Sequence, residues 1–283
     1  MHYIFVESSA VPKSHPVILW LGGSPRCSKL EGYFYDIGPY VFSLDDESVL
    51  ERAVNEYSWN DGANLLFLEY PLGVGFSTSD AKNYTDAEVA YQVFGGIQLF
   101  YKKFPEFVEN DLWLAGHYYA GIVAPTVAYY VQQYNREASL VRINLKGLIL
   151  NNPLTDFTVD LVPSRLTMAD NKVLFDSYTI DDISDNCGGE YTGEQCVTVL
   201  DSVNTTLWAN LNIFDIYRDC YSDEEIATDY LNPNDFDTTL SNFPICFSID
   251  GVGKYFASAE YREAYHVDKD LDWKFCSDKV RCI

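Results

Sequence analysis

The stretch that decides the fold is LWLAGHYYAG, residues 112–121. Leu112 to Ala115 is a strand-like apolar run that feeds straight into Gly116, and the stretch from Ile122 to Gln133 reads as a helix. A strand and a helix joined by so sharp a turn hold one side chain clear of the backbone at the tip, and here that residue is Tyr118. Such a turn leaves no room for bulk two places either side of its tip, and Gly116 and Ala120 supply small residues there. In a hydrolytic site the tip carries a serine hydroxyl. This sequence keeps the scaffold and places a phenol in the slot.

Working outward, residues 2–7, 16–21, 64–69, 111–115 and 144–150 are short apolar, β-branched or aromatic runs bounded by Gly, Pro, Asn or Asp. They predict strands of one buried sheet. Between the third and fourth runs, Val89, Ala90, Val93, Phe94, Ile97, Phe100 and Tyr101 recur at helical spacing within Asp86 to Lys103. This is the pattern of a crossover helix with its apolar stripe on a sheet. The alternation of strand and helix gives an α/β fold with a mostly parallel, doubly wound sheet over residues 1–156. After Asp156 the texture turns acidic and cysteine-rich with little strand periodicity, which predicts an inserted cap over 157–254. Helical patterning resumes at Tyr255, so 255–283 reads as a return to the core. Internal repeats and low-complexity tracts are absent from the sequence.

Composition narrows the partners. Nineteen Lys and Arg against 42 Asp and Glu give a formal charge of −23, which repels a phosphate backbone or an anionic leaflet and argues against nucleic-acid and peripheral-membrane roles. No transmembrane span is expected: the longest uncharged stretch, Tyr118 to Tyr134, is accounted for by the buried helix after the turn. Met1 is followed directly by an amphipathic strand rather than a basic leader, which predicts that the sequence begins inside a longer precursor. The seven cysteines are too scattered for a zinc site and fit disulfides with one cysteine left over; neither metal nor cofactor is implied. Asn83-Tyr84-Thr85 and Asn204-Thr205-Thr206 are N-glycosylation triplets in polar, loop-like surroundings, consistent with a lumenal or extracellular setting.

Six blocks, in order, carry a family resemblance. VILWLGGSPRCSKLEGYFYDIGPY (17–40) looks like W-L-N-G-G-P-G-C-S-S … E-x-G-P, and NLLFLEYPLGVGFSTSD (64–80) looks like N-x-L-F-L-D-x-P-x-G-x-G-F-S-Y. GHYYAGIVAP (116–125) is similar to G-E-S-Y-A-G-x-Y-V-P, and LKGLILNNPLTD (145–156) to L-K-G-x-x-I-G-N-G-x-x-D. NIFDIYRDC (212–220) and YREAYHVDKDLDWKFCS (261–277) are similar to N-x-Y-D-I-Y-x-x-C and V-x-x-A-L-H-V … W-x-x-C-S. The sequence thus resembles the serine carboxypeptidase family of α/β-hydrolases over nearly its whole length.

The departures fall on the site that the resemblance implies. Tyr118 stands at the nucleophile, and His117 replaces an acid that helps hold the substrate's terminal carboxylate. Gly22 replaces an asparagine of the same carboxylate subsite, where Asp36 keeps an acid. Of the two oxyanion-hole positions, Ser24 replaces a glycine and Tyr119 follows the nucleophile. The family's catalytic Asp and His belong to blocks after the last match, and neither block occurs in this sequence; His266 matches a structural helix position instead. The resemblance further implies the bridges Cys27–Cys276, Cys187–Cys196 and Cys220–Cys246, with Cys282 unpaired. It also implies later strands that would cover the open end of the sheet, hence either a companion, the protein's own cleaved C-terminal part or another subunit, or residues that continue beyond 283.

These substitutions predict a catalytically inactive family member that acts as a binding or structural subunit in the secretory lumen, a lysosome or vacuole, or outside the cell. Two alternatives stand beside it. One is a carboxypeptidase or acyltransferase-like enzyme completed by a segment not in this sequence. The other is a binder of a small ligand or carbohydrate that uses the remnant cleft, with Asp36 and His117 as polar contacts.

Overall fold

The computed structural model describes residues 1–206 and 253–282, apart from Ser24, 45–49, 82, 157–158, 161, 173, 189–192, 254, 257, 269, 272 and 278–279. Its strands are β1 (Tyr3–Val6), β2 (Val17–Trp20), β3 (Tyr40–Leu44), β4 (Leu50–Val54), β5 (Asn64–Leu68), β6 (Asn83–Tyr84), β7 (Leu112–Tyr118), β8 (Leu145–Pro153) and β9 (Arg281–Cys282). Its α-helices are α1 (Asp86–Lys103), α2 (Ala120–Tyr134), α3 (Val162–Asn171), α4 (Ser177–Cys187), α5 (Glu194–Thr206) and α6 (Ala259–Ala264). By contacts the chain divides into two compact units. Met1–Pro153 and the described residues from 253 on form one, and the described residues between Leu154 and 206 form the other.

The first unit is built on a five-stranded sheet of order β1-β5-β2-β7-β8, parallel except for β1, which runs antiparallel to β5. The five predicted runs are these five strands. The two-residue period of a strand sends alternate side chains to opposite faces. On β2, Val17 and Leu19 join one buried cluster, while Ile18 and Trp20 join the other. On β5, Leu66 and Leu68 likewise part from Leu65 and Phe67. The first cluster is closed by α1 and α2, the second by Leu30, Tyr33 and Phe34 together with Phe256, Tyr261 and Trp273. With both faces covered, β2 is apolar throughout and β5 is apolar after Asn64, which is why they read as continuous runs rather than alternating ones. Each such side chain, fully buried, contributes about 1.5–3 kcal/mol.

Helix α1 begins on a capping box, in which Thr85 accepts from the Glu88 backbone N–H while the Glu88 side chain accepts from the Thr85 backbone. Its buried residues include all seven of the predicted stripe. Cys27 is bonded to Cys276, tying the loop after β2 to the C-terminal stretch. The short hairpin β3–β4 and the pairing of β6 with β9 went unpredicted. In the second unit, α3, α4 and α5 share a small core of Ala169, Phe175, Ile183, Cys187 and Cys196, and a Cys187–Cys196 bond joins the last two helices.

Two expectations need correction, and a third is untested. Asn204 lies on helix α5 and Asn83 on strand β6, not in loops; threonines and asparagine are permitted in a helix or an edge pairing once tertiary packing holds the segment. His266 is not a helix residue: α6 ends at Ala264, and His266 adopts a left-handed turn with φ 53°. The predicted Cys220–Cys246 bridge lies outside the described residues.

Candidate functional site

Strands β2 and β7 are parallel neighbours, with Trp20 opposite Ala115, so their carboxyl ends deliver the loop from Leu21 and the turn at Tyr118 to the same edge of the sheet. Crevices at the carboxyl ends of parallel strands are where α/β sheets bind ligands. Tyr118 has φ 51°, the left-handed conformation a tight strand-to-helix tip demands. Gly116 is required there. A Cβ at that position would lie 2.8 Å from the Ala120 Cβ and 2.8 Å from the Leu21 backbone. The geometry of the elbow is therefore complete around a residue that carries no aliphatic hydroxyl.

The Tyr118 hydroxyl has no hydrogen-bond partner among the described residues. Beside it, His117 packs on Trp20 with ring centroids 5.8 Å apart, and its Nε2 accepts the Gly23 backbone N–H at 3.1 Å. An Nε2 that accepts cannot carry the ring proton, so the hydrogen-bond pattern assigns the proton to Nδ1. Burial, and then the nearby Lys29 ammonium, hold the His117 pKa below its ordinary value. A Cβ at Gly22 would come within 2.4 Å of Trp20 Nε1 and 3.0 Å of His117 Cε1. Indole and imidazole thus occupy the room a side chain at 22 would need.

Two charged residues that sequence reasoning passed over complete the cluster. Glu31 Oε1 lies 4.0 Å from His117 Nε2, and the Glu31 carboxylate rests over Gly23. Burial first, then the Asp36 charge, push the Glu31 pKa up to about 7, with Lys29 pulling the other way. Lys29 is fully buried, donates from Nζ to the Cys27 carbonyl at 3.0 Å, and sits 4.8 Å from the Tyr70 ring centroid. The legible signal was local: in CSKLEG (27–32) the family pattern C-S-S has serine where this chain has Lys29, and Glu31 interrupts a run that is otherwise buried. Desolvation raises the Asp36 carboxyl to about 6, yet the residue is exposed by surface area. Solvent access governs a group at the rim, and Glu31 is therefore the acid whose ionisation matters here.

The structure thus brings Gly22, His117 and Tyr118 together, with Asp36 close enough to act on Glu31. Tyr119 immediately precedes α2, its ring buried and its hydroxyl donating to Asp86. Ser24 lies outside the described residues. Of the other imidazoles, His2 pairs with Glu69 at 2.8 Å and His15 with Ser8 at 2.8 Å, so both are committed elsewhere. Among the described residues no group of His, Cys, Asp and Glu could hold a metal ion, and no helix is long and apolar enough to cross a membrane.

The sheet, elbow and crevice define an α/β-hydrolase fold. The serine carboxypeptidase family model matches residues 1–282, and the chain belongs to that family. It is 30% identical to serine carboxypeptidase S10 family member 1 of Dictyostelium discoideum over 292 residues, covering 98% of this chain and 63% of that protein. It is also 30% identical to the lysosomal protective protein of Mus musculus over 318 residues, covering 98% and 63%. In fold it matches a prohormone-processing carboxypeptidase from Saccharomyces cerevisiae with a TM-score of 0.72 at 21% identity, over 98% of this chain and 62% of that one. The chain therefore spans under two thirds of the length of these relatives.

Proposed function

We propose that this chain is a catalytically silent serine carboxypeptidase homologue that works as a binding or structural subunit in a secretory, lysosomal or extracellular setting. The observation that carries the reading is the intact elbow with Tyr118 at its tip, beside an imidazole whose Nε2 already accepts the Gly23 N–H. A phenol with a pKa near 10 is a poor nucleophile without a base, and its ring reaches further than a serine Oγ, into the volume a scissile carbonyl would need. The neighbouring imidazole is engaged by Gly23, and the position of the carboxylate-binding asparagine is a glycine closed in by Trp20 and His117. Two disulfides, and a relative named for the lysosome, favour an oxidising or acidic lumen. In this reading the stretch 157–254 is an inserted subdomain.

Strand β8 supports the companion. Among the described residues it is the edge strand of the sheet, and the consecutive residues Leu148 and Ile149, which point to opposite faces, are both exposed. A bare edge with apolar side chains on both faces invites pairing.

Labelling with a fluorophosphonate probe and incubation with acyl-dipeptides from mildly acidic to neutral pH test the silent reading. Signal no higher than a denatured control is expected; stoichiometric labelling refutes it and favours an enzyme completed by a separate segment. Light scattering tests the companion, which a soluble, well-folded monomer would rule out.

A further inference from the structure

We propose that Tyr261 and Tyr265 form an oxidative coupling pair, whose rings a one-electron oxidant such as a haem peroxidase with hydrogen peroxide joins into dityrosine. Tyr261 lies on α6 and Tyr265 is its C-cap, the i, i+4 spacing that places one helical side chain over the next. Their ring centroids are 4.2 Å apart and their planes meet at 16°, so ring carbons of one face ring carbons of the other. By contrast Tyr255 meets Tyr261 at 5.1 Å and 62°, and Tyr91 meets Tyr130 at 5.4 Å and 78°, edge-to-face arrangements that keep most ring carbons apart. Arg262, between the stacked tyrosines in sequence, donates to the Phe256, Asp268 and Leu271 carbonyls at 3.1, 2.8 and 2.9 Å and holds this turn in place.

The two rings differ in access, which gives them separate parts. Tyr265 is half-buried and its hydroxyl lies 3.4 Å from that of Tyr33, so an oxidant in solvent reaches Tyr265 first. Tyr261 is 1% exposed, and its hydroxyl has no hydrogen-bond partner among the described residues. Phe256 and Phe76 pack on it, with ring centroids at 4.6 and 5.8 Å. Burial first, then the Glu69 charge, hold the Tyr261 pKa above the ordinary phenol value, so this ring enters the reaction as a neutral phenol. A radical formed on Tyr265 therefore meets a second phenol in van der Waals contact before it meets another reductant.

Each phenol gives up one electron and one proton, and the two radicals bond through carbons ortho to their oxygens. The hydrogens on those carbons then move to the oxygens, which restores both aromatic rings. The peroxide accepts the two electrons and two protons and leaves as two waters, so the oxidant is the only co-reactant. The product closes the turn at the end of α6 into a covalent ring, in the same C-terminal stretch that the Cys27–Cys276 bond ties to the loop after β2.

The test treats the whole chain, dilute, with a haem peroxidase and hydrogen peroxide, then maps tryptic peptides after reduction of the disulfides. Trypsin cuts after Lys254, Arg262 and Lys269, so the bond joins peptide 255–262 to peptide 263–269 at their summed mass less two hydrogens. Fragmentation should place the bond on Tyr261 rather than Tyr255. This species should exceed several-fold the one joining 83–102 to 104–136, which collects couplings between tyrosines of α1 and α2, although Tyr91 there is 52% exposed. In urea its yield should fall several-fold, because the stack is lost while the spacing in sequence is unchanged. An absent bond at Tyr261, an equal or larger yield between 83–102 and 104–136, or a yield that urea leaves unchanged overturns the pair.

Discussion

Glu31→Gln should make this protein more stable at alkaline pH while leaving it nearly unchanged in acid. Glu31 carries a folded-state pKa of about 7 against an ordinary 4.5, because burial and the neighbouring Asp36 charge disfavour its ionised form. A carboxyl raised in this way binds its proton more tightly folded than unfolded, so its ionisation opposes folding as pH climbs from about 4.5 to 7 and the cost is complete above that range. At about 1.36 kcal/mol per pKa unit, the full cost is about 3 kcal/mol. Glutamine fills nearly the same volume and cannot ionise. The variant should therefore match the natural protein near pH 4 and exceed it by about 3 kcal/mol at pH 8, a rise in melting temperature of about 6–12 °C for a unit of this size. His117 runs the other way: its depressed pKa removes stability as pH falls below its ordinary value of 6.5, in both proteins alike. Urea denaturation of the two proteins across pH 4 to 8 isolates the Glu31 contribution as their difference. A gap that stays constant with pH, or a variant that is weaker at pH 8, would refute the argument and show that Lys29 and His117 stabilise the Glu31 carboxylate more than burial opposes it.

Three further outcomes follow from the same geometry. Tyr118→Ser restores the elbow hydroxyl while His117 Nε2 stays held by the Gly23 N–H, so a stopped assay with an activated ester should show no burst of acyl-enzyme. Gly116→Ala pushes a methyl to 2.8 Å from both the Leu21 backbone and Ala120, and calorimetry should show it costs about 1–3 kcal/mol. Replacing both Cys27 and Cys276 by serine frees a loop closed across 249 residues and should lower stability by about 5 kcal/mol in the chain-entropy account, measured by denaturation under non-reducing conditions.

What could be read from the sequence was whatever one face or one turn imposes locally. The strands of the sheet were legible because burial on both faces makes β2 apolar throughout and β5 apolar from Leu65 on, and α1 because a single covered face imposes the 3.6-residue period on its stripe. The elbow was legible because a tight tip at φ 51° demands Gly116 and Ala120 whatever stands between them. The β3–β4 hairpin was not, since Tyr40–Leu44 is apolar but for Ser43, Leu50–Val54 sets Glu51 and Arg52 side by side, and their register comes from pairing rather than from either segment alone. The cluster around His117 was least legible of all. Lys29, Glu31 and Asp36 act on one another through space, and their effect depends on how far each is removed from water, which no spacing of letters encodes. The sequence shows that an asparagine, a serine and an acid of the family pattern are missing; only the fold shows what replaced them. A serine site needs an imidazole free to take a proton, whereas here the imidazole accepts a backbone N–H, a buried lysine depresses it, and the nearest carboxyl is neutral below about pH 7. Each of these features works against His117 serving as a general base for a serine at position 118.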